Sequence, residues 1–326
     1  MLIIDYRNGY LHNRENHRPA INSIACTAHI PAVNSDDDFY YSRPVYILEN
    51  ILVNGGNHDT YVLRNIETGK TLKTTKVGIV SGYIDNKGNK FNFPALFDHN
   101  RLRASYDNEK TGIISVSSFA GCGLYDGAIP AALKDLPRLN GTCNCNCVDE
   151  NGKNACYAKR LTRYNGVYLK YWLNTLEIQI DPARFMELLE KEIFTGNPLN
   201  SPRVMRLHDS GDIATAEYWK ECKRLINSHK ETVFGSYTKR NDIITPEELE
   251  NIPANMVLSC SPWKDICKPI GDLPQFIYDD GTDETLETLP HCPAVNKNGE
   301  RTGVMCKQCL HCYTAKHGER WAVYAH

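Results

Sequence analysis

RVMRLHDSGDIATAEYWKECKRLINSHKETVFGSYTK, residues 203–239, reads as a strand, a helix and a second strand. Arg203–His208 forms the first strand and runs into the polar stretch His208-Asp209-Ser210-Gly211-Asp212. Segment 215–228 then puts Tyr218, Trp219, Cys222, Leu225 and Ile226 on one helical face. Cys222 on that face reads as core packing. Thr232–Thr238 is the next strand, and two strands joined by a helix of this length make a parallel β/α unit.

The alternation extends in both directions. Further strands are expected at Ile113–Ser118, Met256–Cys260, Gln275–Tyr278 and Trp321–Tyr324. A helix over 182–194 has Asp181 as its cap, Pro182 at its first position and Phe185, Leu188, Leu189 and Ile193 as its apolar stripe. Thr245-Pro246-Glu247-Glu248 is a capping box that opens a short helix. The expected fold class is α/β, a full or partial (β/α) TIM-type barrel over residues 112–326. Closure would set Trp321–Tyr324 beside Ile113–Ser118. Residues 1–111 differ: they are rich in Asn, Asp, Gly and Tyr, with strand-like runs at 45–48, 61–63 and 77–80. Turn signals at Asn54-Gly55-Gly56 and Asn86-Lys87-Gly88 separate such runs, so this part is expected to be a β-rich N-terminal extension. Thr68-Gly69-Lys70 is a turn, since the glycine spacing of a phosphate-binding loop is missing.

Hydrophobic residues at 41% and charged residues at 23% exclude a disordered chain. A formal net charge of -2 supplies no global cationic field for nucleic acid. The basic stretch Lys159, Arg160, Arg163 and Lys170, with Tyr157, Tyr164 and Tyr168, reads as the wet face of a helix. Met1-Leu2-Ile3-Ile4-Asp5 lacks the basic start of a signal peptide, and no apolar run approaches membrane-spanning length. A cytoplasmic location with reduced thiols is therefore expected. There the 13 cysteines, an odd number, read as metal ligands and not as a disulfide framework.

Seven of the cysteines fall in two boxes. Cys306, Cys309 and Cys312 form Cys-x2-Cys-x2-Cys, with Cys292-Pro293 upstream, the ligand grammar of a ferredoxin-type [4Fe–4S] cluster. Cys143, Cys145, Cys147 and Cys156 form the second box, and Cys156 begins a helix, where a thiolate is favoured. Zinc is the alternative metal, because four thiolates also make a closed tetrahedral site. The boxes hold two centres or converge on one. Cys26, Cys122, Cys222, Cys260 and Cys267 read as packing residues.

Cys156-Tyr157-Ala158, Arg206 to Asp212, Tyr237-Thr238-Lys239 and Cys292-Pro293-Ala294 before the cysteine triple follow the motif order of the phage gene product 88 family. The chain resembles that family over residues 112–326. The resemblance implies a phage or prophage protein with a radical-SAM-like or TIM-type β/α core, and it implies no particular reaction. The Cys-x3-Cys-x2-Cys of radical-SAM enzymes is absent from both boxes.

Strand ends carry the remaining candidates, as in β/α barrels generally. His208 reads as a base, acid or ligand, and Asp209 and Asp212 as groups that orient it or hold a substrate amine. Ser210 and Gly211 open the following helix N-terminus to an anion or cofactor. Tyr237 is placed to stack or donate a proton, and Lys239 to bind a carboxylate or phosphate. Ser259-Cys260-Ser261-Pro262-Trp263 ends the next strand. The expected function is [4Fe–4S] binding with redox or radical-type chemistry on a small-molecule or host-factor substrate. The alternative is a zinc-binding structural module that contacts nucleic acid or a host protein, and no membrane role is expected.

Overall fold

The computed structural model describes residues 2–5, 21–27, 46–53, 59–66, 68–75, 77–84, 87–106, 111–134, 136, 138–148, 152, 154–194, 201–263 and 266–324. Val45, the turn Asn54-Gly55-Gly56, Asn86, Asp149-Glu150-Asn151 and the side chain of Cys26 lie outside them. The chain divides into two compact units. One comprises Met1–Arg101, Ile129–Arg138 and Arg163–Leu169; the other comprises Leu102–Ala128, Leu139–Thr162 and Lys170–His326. This division differs from a single cut after residue 111.

The first unit holds strands β1 (Leu2–Asp5), β2 (Ile24–Thr27), β3 (Tyr46–Leu52), β4 (Thr60–Asn65), β5 (Thr71–Thr74), β6 (Val77–Ile84) and β7 (Lys90–Asn92). They form one antiparallel sheet in the order β1-β6-β2-β3-β4-β5, with β7 on β6. Alternate residues of β4, Tyr61 and Leu63, join Ala25, Leu48, Val77 and Ile79 in its core.

The second unit holds β8 (Ala104–Ser105), β9 (Ile114–Ser117), β10 (Val204–Ser210), β11 (Val233–Thr238), β12 (Met256–Cys260), β13 (Gln275–Asp279) and β14 (Arg320–Tyr324). Its helices are α1 (Tyr157–Leu161), α2 (Asn165–Ile180, which begins in the first unit), α3 (Pro182–Phe194), α4 (Ala216–Ser228), α5 (Pro246–Glu250) and α6 (Cys306–Cys309). The strands expected from the sequence all form, as do the helices at 182–194, 215–228 and 246–250. Thr215 and Thr245 accept the Tyr218 and Glu248 backbone N–H groups as their caps.

The expected barrel, full or partial, is not formed, and the radical-SAM-like core falls with it. β9 to β14 run parallel in chain order, β8 joins antiparallel at one edge, and β14 is the other edge. Trp321–Tyr324 therefore lies at the far side of the sheet from Ile114–Ser117. The physical reason is the supply of helices. α2 to α5 cover the crossovers up to β12, but the 261–274 and 280–319 connections contribute only bridges, 3-10 turns and the four-residue α6. A barrel needs an outer helix after each strand.

The two sheet faces differ in chemistry. Val116, Met205, Leu207, Phe234, Met256, Leu258 and Cys260 point to one face and pack with Phe185, Leu189, Trp219, Cys222 and Leu225 from α3 and α4. Each such large side chain contributes roughly 1.5–3 kcal/mol of burial. The other face carries Ser115, Arg206 and Gly235 in one register row, and Tyr237 and Ser259 in another. A buried bidentate pair, Arg103 Nε and Nη2 to Glu177 at 2.9 and 3.1 Å, ties the β8 end to α2. Among the described residues no helix is long and apolar enough to cross a membrane.

Candidate functional site

The polar run after β10 turns at Gly211, whose φ is +80°. A Cβ there would lie 2.1 Å from Ser118 Oγ and 2.6 Å from Thr142 Oγ1, so only glycine fits. The Ser210 hydroxyl donates to the Ser118 carbonyl at 2.9 Å, and the Asp212 N–H donates to Thr142 Oγ1 at 2.7 Å. Ser210 and Gly211 thus stitch β10 to β9 and to the first cysteine box. They do not offer a helix N-terminus to a cofactor, because α4 starts later and is capped by its own Thr215.

His208 follows Leu207 at the end of β10. It has φ +58°, and the β9–β10 register shifts between Arg206 and Ser210. Its buried ring lies beside Tyr218 of α4, on the helix face. Nδ1 meets Ser236 Oγ at 2.8 Å and Nε2 meets Tyr218 Oη at 3.2 Å, so both nitrogens are occupied. Burial pushes its pKa down to about 3, which keeps it neutral. The residue pins strand to helix and also lines the cavity at the strand ends.

The strand-end residues, His208, Ser210 and Gly211 among them, line a cavity of about 120 Å³ at the carboxyl ends of β10 and β11. Ligands of open α/β sheets bind at strand carboxyl ends. Arg206, Asp209, Asp212, Tyr237, Lys239 and Ser261 line it, together with Cys143, Cys145, Cys147 and Cys156. Asp209 pairs with Arg206 Nη1 at 3.1 Å, and its carbonyl accepts Tyr157 Oη at 2.6 Å. Asp212 accepts the Ile213 N–H, the Thr238 hydroxyl and the Lys239 N–H, each at 2.8 Å. Burial nevertheless raises its pKa to about 6, against the pull of those donors and of the Lys239 charge. The Lys239 ammonium donates to Ser261 Oγ at 2.8 Å. Tyr237 packs tilted against Phe276, with ring centroids 4.7 Å apart, and lies under the Arg206 guanidinium at 5.0 Å.

The first cysteine box forms the cavity wall. Cys143 N–H donates to the Gly121 carbonyl at 3.1 Å, and Cys156 caps α1. Cys143 and Cys147 lie within electrostatic reach of Cys156. Cys145, expected as a free ligand, is disulfide-bonded to Cys267, expected as a packing residue. Trp263 and Cys267 form a small bridge, and Trp263 Nε1 donates to the Val148 carbonyl at 2.9 Å. Burial pushes the Cys143 thiol up, and takes Cys147 to about 11.

The C-terminal box lies over β11 and β12. α6 carries Cys306 and Cys309, Leu310 takes a left-handed φ of +53°, and a 3-10 turn carries Cys312. The Tyr313 ring covers Gly235, where a Cβ would meet it at 2.4 Å. Tyr237 Oη hydrogen-bonds the Cys312 sulfur, and Cys292 and Cys306 both act on Cys312 electrostatically. Cys292 is held by its N–H to the Ala322 carbonyl of β14 at 2.8 Å. Burial takes Cys312 to about 11. Arg206 and Tyr237 therefore link the two boxes. Among the described residues, no three His, Cys, Asp or Glu side chains already stand at metal-binding distance.

The basic stretch does not form one wet face. Lys159 is buried against Asp126 and Asn146, and Lys170 donates to the Ala104 carbonyl at 2.7 Å. Arg206 is the site residue that the sequence reading passed over. Its signal was a charge between Met205 and Leu207 in a strand otherwise destined for burial.

A model of the Gene product 88 family matches residues 120–315, a span that takes in both cysteine boxes and every cavity-lining strand end. No curated protein and no solved structure matches the chain. With more than half of its length matched, the chain belongs to the Gene product 88 family.

Proposed function

We propose that the protein binds an iron–sulfur centre of the [4Fe–4S] type on the cysteine face of its parallel sheet, with Cys292, Cys306, Cys309 and Cys312 as ligands. The carrying observation is that Cys312, hydrogen-bonded to Tyr237 and within electrostatic reach of Arg206, also has Cys292 and Cys306 within electrostatic reach. Burial holds these surroundings against thiolate formation, so a bound cation is what would remove the protons. The face also fits a charged, sulfur-rich group. Four of its buried atoms, Ser115 Oγ, Arg206 Nε, Ser259 Oγ and Trp321 Nε1, have no hydrogen-bond partner among the described residues. Each is a donor, and donors near the sulfurs stabilise an anionic cluster.

When bound, the centre supplies one-electron redox chemistry. The chain's own residues would then do the rest. Arg206 balances thiolate charge, Tyr237 orients Cys312, and Asp212 with Lys239 shapes a small polar substrate cavity. Cys143, Cys147 and Cys156 stand as support for that centre or as ligands of a second one. Host cytoplasm is the setting proposed for this chemistry.

The test is anaerobic preparation followed by visible absorption and electron paramagnetic resonance before and after reduction. Sulfur-to-iron charge-transfer bands and a reduced-state signal are expected. A colourless protein carrying stoichiometric zinc after anaerobic reconstitution with iron and sulfide would replace the reading with a zinc-stapled interaction module.

A further inference from the structure

The strand-end cavity holds two cations whose donors are only partly used. Arg206 Nη1 is taken by Asp209, and Nε is buried without a partner. Lys239 Nζ meets only a neutral acceptor, Ser261 Oγ, and no ion pair of its ammonium occurs among the described residues. Asp212, which feels the Lys239 charge, already accepts the Thr238 hydroxyl and two backbone N–H groups, one of them that of Lys239 itself. Lys239 is also preset. Its N–H is fixed by Asp212, and the next residue, Arg240, clamps the Thr142 and Ala214 carbonyls at 2.9 and 2.8 Å. A cation so held loses little freedom when it binds.

We propose that this cavity captures the anionic oxygen group, carboxylate or phosphate, of a small molecule, with Lys239 Nζ and the Arg206 guanidinium as donors. This rests on reading the cavity as the substrate site and not on the identity of the metal. A volume of about 120 Å³ admits one such group and its neighbouring atoms and is too small for a whole nucleotide. Charge-assisted hydrogen bonds from both cations carry the recognition.

The test is calorimetric titration of the full-length, metal-replete protein at low salt with inorganic phosphate, succinate and neutral succinamide. Saturable binding of phosphate or succinate is expected, and the one that binds names the source of the oxyanion; succinamide stays silent. Lys239→Gln, at a half-buried position whose anchors are backbone atoms, weakens that binding by about 10-fold or more. Arg206→Gln together with Lys239→Gln abolishes it. No saturable binding of either anion below about 10 mM, or unchanged affinity in Lys239→Gln, overturns the proposal. Iron and sulfide assayed on the same samples separate the two claims. Metal-replete protein that ignores both anions removes the cavity reading alone, and anion binding by protein without iron leaves it standing while the cluster falls.

Discussion

On one face of the parallel sheet Met205, Leu207, Phe234 and Leu258 join Trp219, Leu225 and Phe185 in a continuous apolar core. On the other, Arg206, Tyr237 and Ser259, one residue out of phase with them, meet thiols, a cation–π contact and unpartnered donors. The strands are the same; only the parity differs. The first face is complete as it stands. The second has buried polar groups without a hydrogen-bond partner among the described residues, each costing about 1–3 kcal/mol. A fold tolerates such a face where a ligand finishes it.

The comparison can be broken from either side. The largest expected effect belongs to the helix face. Trp219→Ala should cost about 3–5 kcal/mol in chemical denaturation while leaving metal per folded chain unchanged. Loss of metal in the folded variant would mean the faces are not independent.

His208 comes next, because it turns from one face to the other. Its unfolded-state pKa is the ordinary 6.5 and its folded value about 3. Its contribution is complete above pH 6.5 and is lost as pH falls. Between about pH 6.5 and 4 this amounts to about 3 kcal/mol, and His208→Gln should flatten the acid side of the stability curve by that amount. Identical curves would put His208 in contact with water after all.

Asp212 has the opposite sign. Its folded pKa, about 6, lies above the unfolded 3.8, so its contribution is present at low pH and is lost as pH rises through 6. Relative to the wild type, Asp212→Asn should gain about 2 kcal/mol between pH 4 and 6. A gain on acidification instead would show that its three donors outweigh its burial. The smallest effect is a control on the helix face: Thr245→Ala removes the α5 cap and should cost about 1 kcal/mol, read as a small drop in the thermal midpoint.

Much of the parallel unit was legible in the sequence. Pro182 at a helix start, Thr245 as a cap, and the Tyr218–Leu225 stripe are local signals that packing kept. Closure was not legible, because it depends on helices that are missing after β12. Strand spacing alone cannot report that absence. The Cys145–Cys267 contact spans 122 residues and has no local signature. The surroundings of His208 have a backbone cause: a left-handed φ one residue after Leu207 breaks the alternation and sets the ring beside Tyr218. Arg206 was readable as a charge within a buried strand. Its significance needed the register that sets it beside Ser115 and Gly235.

The central claim is that the cysteine face is finished by an iron–sulfur centre. Iron and acid-labile sulfide per chain, measured without exposure to air in the wild type and in Cys306→Ser and Cys312→Ser, test it most directly. The account predicts near-equal iron and sulfide in the wild type and little of either in the two variants. Zinc without sulfide, or iron and sulfide unchanged in both variants, would contradict it.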